Sequence, residues 1–487
     1  MKTDVAPTPW SAPQASGSVY ASVHLPGSKS LSARELLLSA IGDTDSRVEG
    51  LLYARDTDLM VRALQGLGAR ISPWPPAGNP VEIQPIPGLW EETKQSGVSS
   101  NSGAGLEALA SSDSLANHRN LPELEQPVQI ECGLAGTVMR FLPALVVALG
   151  VPARFTADAA ANKRPLRGLL EALASLGANW ESDDPLDGIF PFTINPRRGD
   201  VPEVITVDTA ASSQFVSALL LSAPLWGKPL TIRCKTPVVP SLPHIQMTLE
   251  ALSLRGINAT GSIQSDGTWQ WRVEPDSVFG QDLAIEPDLS NAGPFLAAAG
   301  IIGGVVSVPG WPAHTSQVGD LWRQILPQFG MQVRHRCGVI TARGTGVLRA
   351  VSLDCSQCGE LVPTIAALAA HASGVSHLEG LSHLRGHETD RLNALYQELQ
   401  KLGIRCAITP EDGLEIIGIP RTQLGARLPS DQPLMMRAYG DHRMATFAAL
   451  MGLYRTIQID DIGATTKTLP DFPQMWAQVI GAPHEST

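Results

Sequence analysis

The chain has 487 residues, 43% of them hydrophobic and 17% charged, with a formal net charge of −11. That composition permits a large core and excludes a wholly disordered chain. The acidic balance argues against a general nucleic-acid or anionic-membrane binder, yet leaves room for a small anion in a locally basic pocket.

In chain order, the first stretch, MKTDVAPTPWSAPQASGS, holds no apolar run of signal-peptide type. A loop of small and polar residues then runs into an Ala- and Leu-rich helix, PGSKSLSARELLLSA from Pro26. An amphipathic helix is expected at Leu59–Leu67, then the strand GARIS. Residues 72–127 are rich in Pro, Gly and Ser and read as an inserted loop with a short strand near Val81–Ile86. The loop-and-helix pattern returns at CGLAGTVMRFLPALVVAL from Cys132, followed by the strand VPARFTADA and a second helix over Pro165–Leu176. It recurs at DTAASSQFVSALLLSAP from Asp208, with KPLTIRCK and Ile245–Leu254 after it. A fourth copy, EPDLSNAGPFLAAAGI from Glu286, precedes GGVVSVPG and Val318–Phe329. The fifth, CGELVPTIAALAAHA from Cys358, precedes GVSHLEGL and Arg391–Leu402. The sixth, YGDHRMATFAALMGL from Tyr439, precedes RTIQIDD.

The unit is therefore βαβαβ-like, ~75 residues long and present six times, the first spacing being lengthened by the 72–127 loop. A doubly wound sheet is the ordinary source of such alternation, but no GxGxxG follows a first strand here. The apolar part of the longest uncharged stretch, from Phe295 to about Val306, falls short of the ~20 residues of a spanning helix. Six scattered cysteines suit a reducing cytoplasm, and the CxxC at Cys355 and Cys358 lacks the further ligands of a zinc site.

Polar residues gather in the loops that open the apolar helices. Helix N-termini expose free N–H groups and a positive dipole end, so they bind anions. Lys29, Ser30 and Arg34 lie at the first, Thr137 and Arg140 at the second, Ser212, Ser213 and Gln214 at the third, and His442 and Arg443 at the sixth. Lys163-Arg164-Pro165 and His387-Glu388-Thr389-Asp390-Arg391 open second-type helices, and Lys467 stands in ATTKTLPDF. Cations oppose the dipole at a helix start, so several together point to a bound anion that offsets the cost.

PGSKSLSAR, the AGT of CGLAGTVMR, the RP of NKRPLRGLLEAL, SSQF, HETDRL, GDHRM and KTLPDF together resemble the 5-enolpyruvylshikimate-3-phosphate synthase family, from about His24 to Trp476. The resemblance implies an α/β, two-domain enolpyruvyl transferase fold, an inside-out α/β barrel of six βαβαββ repeats, three per domain. Domain one would be 24–285, carrying the inserted loop at about 72–127, and domain two 1–23 plus 286–487, with helix N-termini facing a cleft that closes on substrate. The implied reaction moves the enolpyruvyl group of phosphoenolpyruvate to the 5-hydroxyl of shikimate-3-phosphate and releases phosphate. By motif, Lys29, Gly136, Thr137, Arg164, Arg391, Arg443 and Lys467 look like the phosphoenolpyruvate site. Ser30, Arg34, Ser212, Ser213, Gln214, Ser241, Glu360 and His387 look like shikimate-3-phosphate ligands. Glu360, Glu388 and Lys29 look catalytic, Glu388 as the proton carrier to the methylene carbon and Glu360 as the base. No cofactor, metal, nucleic acid or membrane is expected, and the working form expected is a cytoplasmic monomer.

Thr364, His244, His387 and Leu134 stand where many relatives carry Asp, Tyr, Lys and Asn. A sister enolpyruvyl transferase acting on a nucleotide sugar generally uses a loop cysteine, which 72–127 lacks. A catalytically dead paralogue would be expected to have lost some of Lys29, Arg164, Glu388, Arg443 and Lys467.

Overall fold

The computed structural model describes residues 9–90, 126–183, 189–197, 201–209, 212–237, 239–386, 388–420, 423 and 433–481. The chain divides into two compact units, Met1–Lys29 with Glu286–Thr487, and Ser30–Ile285. Each has its own core. That of the 30–285 unit is built on residues such as Leu37, Leu142, Leu220 and Ile232, and that of the other on Phe295, Leu368, Phe447 and Trp476.

Among the described residues six sheets account for the strands, three in each unit, and they share one topology. A first strand lies parallel to a second, and the second runs antiparallel to a third. In Val128–Glu131, Ala153–Thr156 and Phe192–Pro196, for example, Val128 pairs with Ala153 and Ala153 with Ile194. Helix α3 (Gly136–Leu149) connects the parallel pair. Its counterparts are α1 (Lys29–Ala40), α5 (Gln214–Ser222), α7 (Ala292–Ile302), α9 (Val362–Ala370) and α11 (His442–Met451). These six are buried nearly all round, and every residue of α7 is buried. A helix apolar on all faces is stable only inside a core, where each Leu or Phe contributes roughly 1.5–3 kcal/mol. The second helix of each repeat, α2 (Arg55–Gly66), α4 (Arg167–Ser175), α6 (Leu242–Leu254), α8 (Trp322–Gln328), α10 (Arg391–Lys401) and α12 (Phe472–Ile480), is buried on one side only.

Two sheets take their parallel partner from far along the chain. Asp282–Ala284, just before the chain leaves the 30–285 unit, pairs with Ser46–Glu49 at that unit's beginning. Val19–Ser22, just before the chain enters it, pairs with Gly304–Pro309 of the other unit. The sixth sheet is completed by Trp10–Ala12 against Ile457–Ile459. Each unit is thus closed by strands from both ends of its chain segments.

The 72–127 insertion is corrected in its first third. Val81–Gln84 is a central strand, between Ser46–Glu49 and Arg70–Ser72, and Ile86 and Leu89 are buried. The Pro-rich run before it hides a strand whose Val81 and Ile83 face the core. Residues 91–125 lie outside the described part. No helix of the described residues is long and apolar enough to cross a membrane.

Candidate active site

The unit formed by 1–29 and 286–487 gathers charge at three helix starts. Asp441 caps α11, accepting a hydrogen bond from the Arg443 backbone N–H at 2.8 Å. The same carboxylate takes both ends of Arg391 at the start of α10, with Nε at 2.6 Å and Nη2 at 3.1 Å. This pair is buried. A bidentate guanidinium–carboxylate geometry is among the strongest hydrogen-bonded arrangements available. Burial disfavours the charge on Arg391, but Asp441, with Glu388 and Glu360, raises its pKa on balance.

Glu388 is the centre of a second group. Lys467 donates from Nζ to Glu388 Oε2 at 3.1 Å and to the Gly440 carbonyl at 2.8 Å. His442 Nδ1 lies 3.4 Å from the same Oε2. Burial alone would raise the Glu388 pKa, yet His442, Lys467 and Lys29 hold it well below the usual carboxylate range. Burial keeps the His442 pKa below its ordinary value, against the opposing pull of Glu388. Glu360, in the turn before α9, accepts a short hydrogen bond from Ser290 Oγ. The Lys29 backbone N–H donates to Asp288 at 3.3 Å. Lys29, Arg391, Arg443 and Lys467 are thus brought together through Glu388 and Asp441.

Glu388, Asp441 and His442 place ligand atoms within 4.8 Å of one another, a set that could hold a metal ion. Both carboxylates already face protein cations, Lys467 and Arg391. An ion there would have to displace them.

In the 30–285 unit, two arginines at the start of α3 meet with no such balance. Arg140 is buried on α3, and its Nη1 donates to Gln214 Oε1 at 2.6 Å. Arg164 donates from Nη1 to the Leu134 carbonyl at 2.7 Å. Burial and the neighbouring Arg164 both disfavour the charge on Arg140, whose pKa is lowered. Gly136 opens α3 beside them. A Cβ there would lie 2.8 Å from Arg164 Nη2 and 3.3 Å from Arg140 Nη1, so only glycine leaves both guanidiniums in place. Thr137 follows it, buried. Nε of Arg140 and Nε of Arg164 are buried and find no hydrogen-bond partner among the described residues, and the same holds for Nε of Arg443 in the other unit. Buried orphan donors are uncommon, and three on neighbouring or helix-start arginines point to anionic guests.

The polar residues of this unit sit around the starts of α5 and α6. Ser212 Oγ accepts from the Gln214 backbone N–H at 3.2 Å, and Ser213 is the N-cap of α5. Ser241 caps α6 with a left-handed φ of 54°. Arg34 is 1% exposed. Its guanidinium donates to Thr248 Oγ1 at 2.9 Å, the Ser30 carbonyl at 2.9 Å and the His244 carbonyl at 2.8 Å, tying α1 to α6. Thr364 is buried. His387 lies outside the described residues. Sequence reasoning placed Arg140 and His442 at anion-binding helix starts without a partner, and assigned no role to Asp441 or Ser290. The GDHR and CGLAGTVMR loops carry the first three, but their pairings join residues 50 to 74 positions apart.

The family model for EPSP synthase (3-phosphoshikimate 1-carboxyvinyltransferase) matches residues 13–112 and 103–476. The 3-phosphoshikimate 1-carboxyvinyltransferase of Kocuria rhizophila is 44% identical over 480 residues, covering 97% of both chains. That of Mycobacterium ulcerans is 39% identical over 480 residues, covering 97% of this chain and 98% of its own. Among solved structures, EPSP synthase from Acinetobacter baumannii superposes with a TM-score of 0.70 at 21% identity, covering 96% of this chain and 97% of its own. The enolpyruvyl transferase NikO from Streptomyces tendae gives 0.63 at 18% identity, with the same coverage. These two carry the fold, while the family match and the two sequence relatives carry the assignment: the chain belongs to the EPSP synthase family.

Proposed function

We propose that the two charge clusters serve one addition–elimination, in which the enolpyruvyl group of phosphoenolpyruvate moves to the 5-hydroxyl of shikimate-3-phosphate and phosphate leaves. The reaction is that of the family. The residue roles are our reading. Two phosphates and two carboxylates must be neutralised together, which demands clustered cations. The observation that carries the reading is that Arg140, Arg164 and Arg443 each leave a buried Nε without a hydrogen-bond partner among the described residues.

Lys29, Arg164, Arg391, Arg443 and Lys467 hold phosphoenolpyruvate, with Gly136 and Thr137 against it. Ser30, Ser212, Ser213, Gln214 and Ser241 hold shikimate-3-phosphate, with Arg34 behind them and Glu360 and His387 completing the set. Glu360 takes the proton of the attacking hydroxyl as its oxygen bonds to the central carbon of phosphoenolpyruvate. Glu388 gives a proton to the methylene carbon. In the second half Glu388 takes a proton back from the resulting methyl group, the carbon–carbon double bond reforms, and the carbon–oxygen bond to phosphate breaks. Phosphate departs while Lys29 neutralises it, taking the proton that Glu360 gives up.

Glu388 must be protonated to begin, although its neighbours hold it ionised. An incoming anion supplies the remedy, because it competes for Lys467 and Lys29 and so raises the Glu388 pKa. The free cysteines suit a reducing cytoplasm, and a single chain as the working form completes the reading. Phosphate release from phosphoenolpyruvate, measured with and without shikimate-3-phosphate, tests the function. Release that ignores this acceptor would overturn it.

A further inference from the structure

The turn that leads into α11 is strained at one residue. Tyr439 has a φ of 57°, and Gly440 follows at 64°. The Asp441 N–H donates to the Ala438 carbonyl at 2.9 Å, so two left-handed residues occupy the centre of the turn, as in type I′. Gly, Asn and Asp favour such positions, and a bulky side chain there is a genuine outlier. Of the described non-glycine residues with positive φ, Ala77, Ser241, Cys337, Asp412 and Tyr439, the tyrosine is the largest. Backbone strain of this kind persists where the surroundings over-determine it, and such places cluster at functional sites.

The surroundings here are specific. The Tyr439 hydroxyl donates to Glu398 Oε1 at 2.7 Å, and the Glu398 side chain is fully buried on α10, two turns beyond Arg391. The Arg437 guanidinium lies over the tyrosine ring, 4.9 Å from its centre. Downstream, the turn directs the Gly440 carbonyl to Lys467 Nζ and sets Asp441 as both cap of α11 and partner of Arg391.

We infer that Tyr439 is a positioning residue for the anion site, its hydroxyl tether to Glu398 locking the left-handed turn that aims the Gly440 carbonyl at Lys467 and holds Asp441 against Arg391. This rests on reading Lys467 and Arg391 as ligands of phosphoenolpyruvate. Loss of the tether lets the turn relax, and the cations lose their alignment before they lose their fold.

Steady-state kinetics with each substrate varied tests this, with Tyr439→Phe and Tyr439→Asn compared. Phe keeps the ring, and Asn tolerates the left-handed backbone, but neither keeps the hydroxyl tether. Tyr439→Phe should raise the KM for phosphoenolpyruvate about fivefold or more, with kcat within about twofold and the KM for shikimate-3-phosphate unchanged, and Tyr439→Asn, whose side chain favours the turn without a tether, should raise it less. A KM for phosphoenolpyruvate within about twofold of the parent in Tyr439→Phe overturns the inference, as does a rise in Tyr439→Asn that matches or exceeds it, or a fall in Tm with both KM values intact. Lys467→Met is run alongside. If it too leaves the KM for phosphoenolpyruvate unmoved, the underlying site reading fails. If it alone raises that KM, only the Tyr439 inference fails.

Discussion

The two units repeat one topology three times each, yet the helix starts assigned to the site handle charge in opposite ways. In the 1–29 and 286–487 unit the cations meet carboxylates, Arg391 on Asp441 and Lys467 on Glu388. In the 30–285 unit Arg140 and Arg164 stand side by side, bonded to an amide oxygen and backbone carbonyls. A cation paired with a carboxylate forms a titratable system that can move a proton when an anion disturbs it. Cations bound only to neutral oxygens can do no proton chemistry, but their unsatisfied charge attracts an anion. The repeat supplies helix starts, and the loop residues decide which job each start does.

The sharpest way to break this comparison is Glu388→Gln, which keeps shape and removes the proton carrier. Turnover should fall by about a hundredfold to ten-thousandfold, with both KM values little changed, in a phosphate-release assay. A loss confined to KM would move Glu388 from proton chemistry to binding.

Removing one cation from each unit separates them next. Arg391→Met leaves Asp441 buried and uncompensated, so denaturant unfolding should report a loss of about 3–5 kcal/mol. Arg164→Met relieves the repulsion on Arg140 and should leave stability unchanged or improved, while the KM for phosphoenolpyruvate rises about tenfold to a hundredfold. Equal destabilisation by both substitutions would erase the contrast.

A third test is the proton balance of binding. Glu388 begins with a depressed pKa, so it is ionised when the site is unliganded. Phosphoenolpyruvate draws Lys467 and Lys29 away and raises that pKa, so the protein should take up a proton on binding. Calorimetry in buffers of different ionisation enthalpy should show this uptake growing as pH falls, relative to Glu388→Gln. No difference between the two proteins would show that the cluster is not titratable in the way proposed.

The smallest effect is expected at Gly136→Ala. The added methyl meets the Arg164 guanidinium at 2.8 Å, a contact that the flexible end of the side chain can yield to. The KM for phosphoenolpyruvate should rise about fivefold. A KM within about twofold of the parent would remove Gly136 from the anion site.

Much of this was legible in the sequence because it is local. The six buried helices announce themselves by all-round Ala and Leu, and each helix start carries its polar residues within a few positions. What was not legible depends on pairing across the chain. Asp441 reads as an ordinary helix cap until Arg391, 50 residues earlier, is found on its carboxylate. The strand at Val81–Gln84 was legible among its prolines, but its central place between Ser46–Glu49 and Arg70–Ser72 was not. Asp282–Ala284 and Val19–Ser22 are short, and only their distant partners make them strands. Arg34 reads as a cation for a ligand, and the structure spends its hydrogen bonds on α6 and on Ser30.

The most direct test of the central claim follows hydrogen at the methylene carbon. With both substrates in deuterium oxide, the parent protein should place deuterium in the enolpyruvyl product, because Glu388 exchanges its proton with solvent between the two half-reactions. Glu388→Gln should still bind both substrates and yield almost no labelled product. Labelling and turnover by that variant at the parent rate would contradict the account.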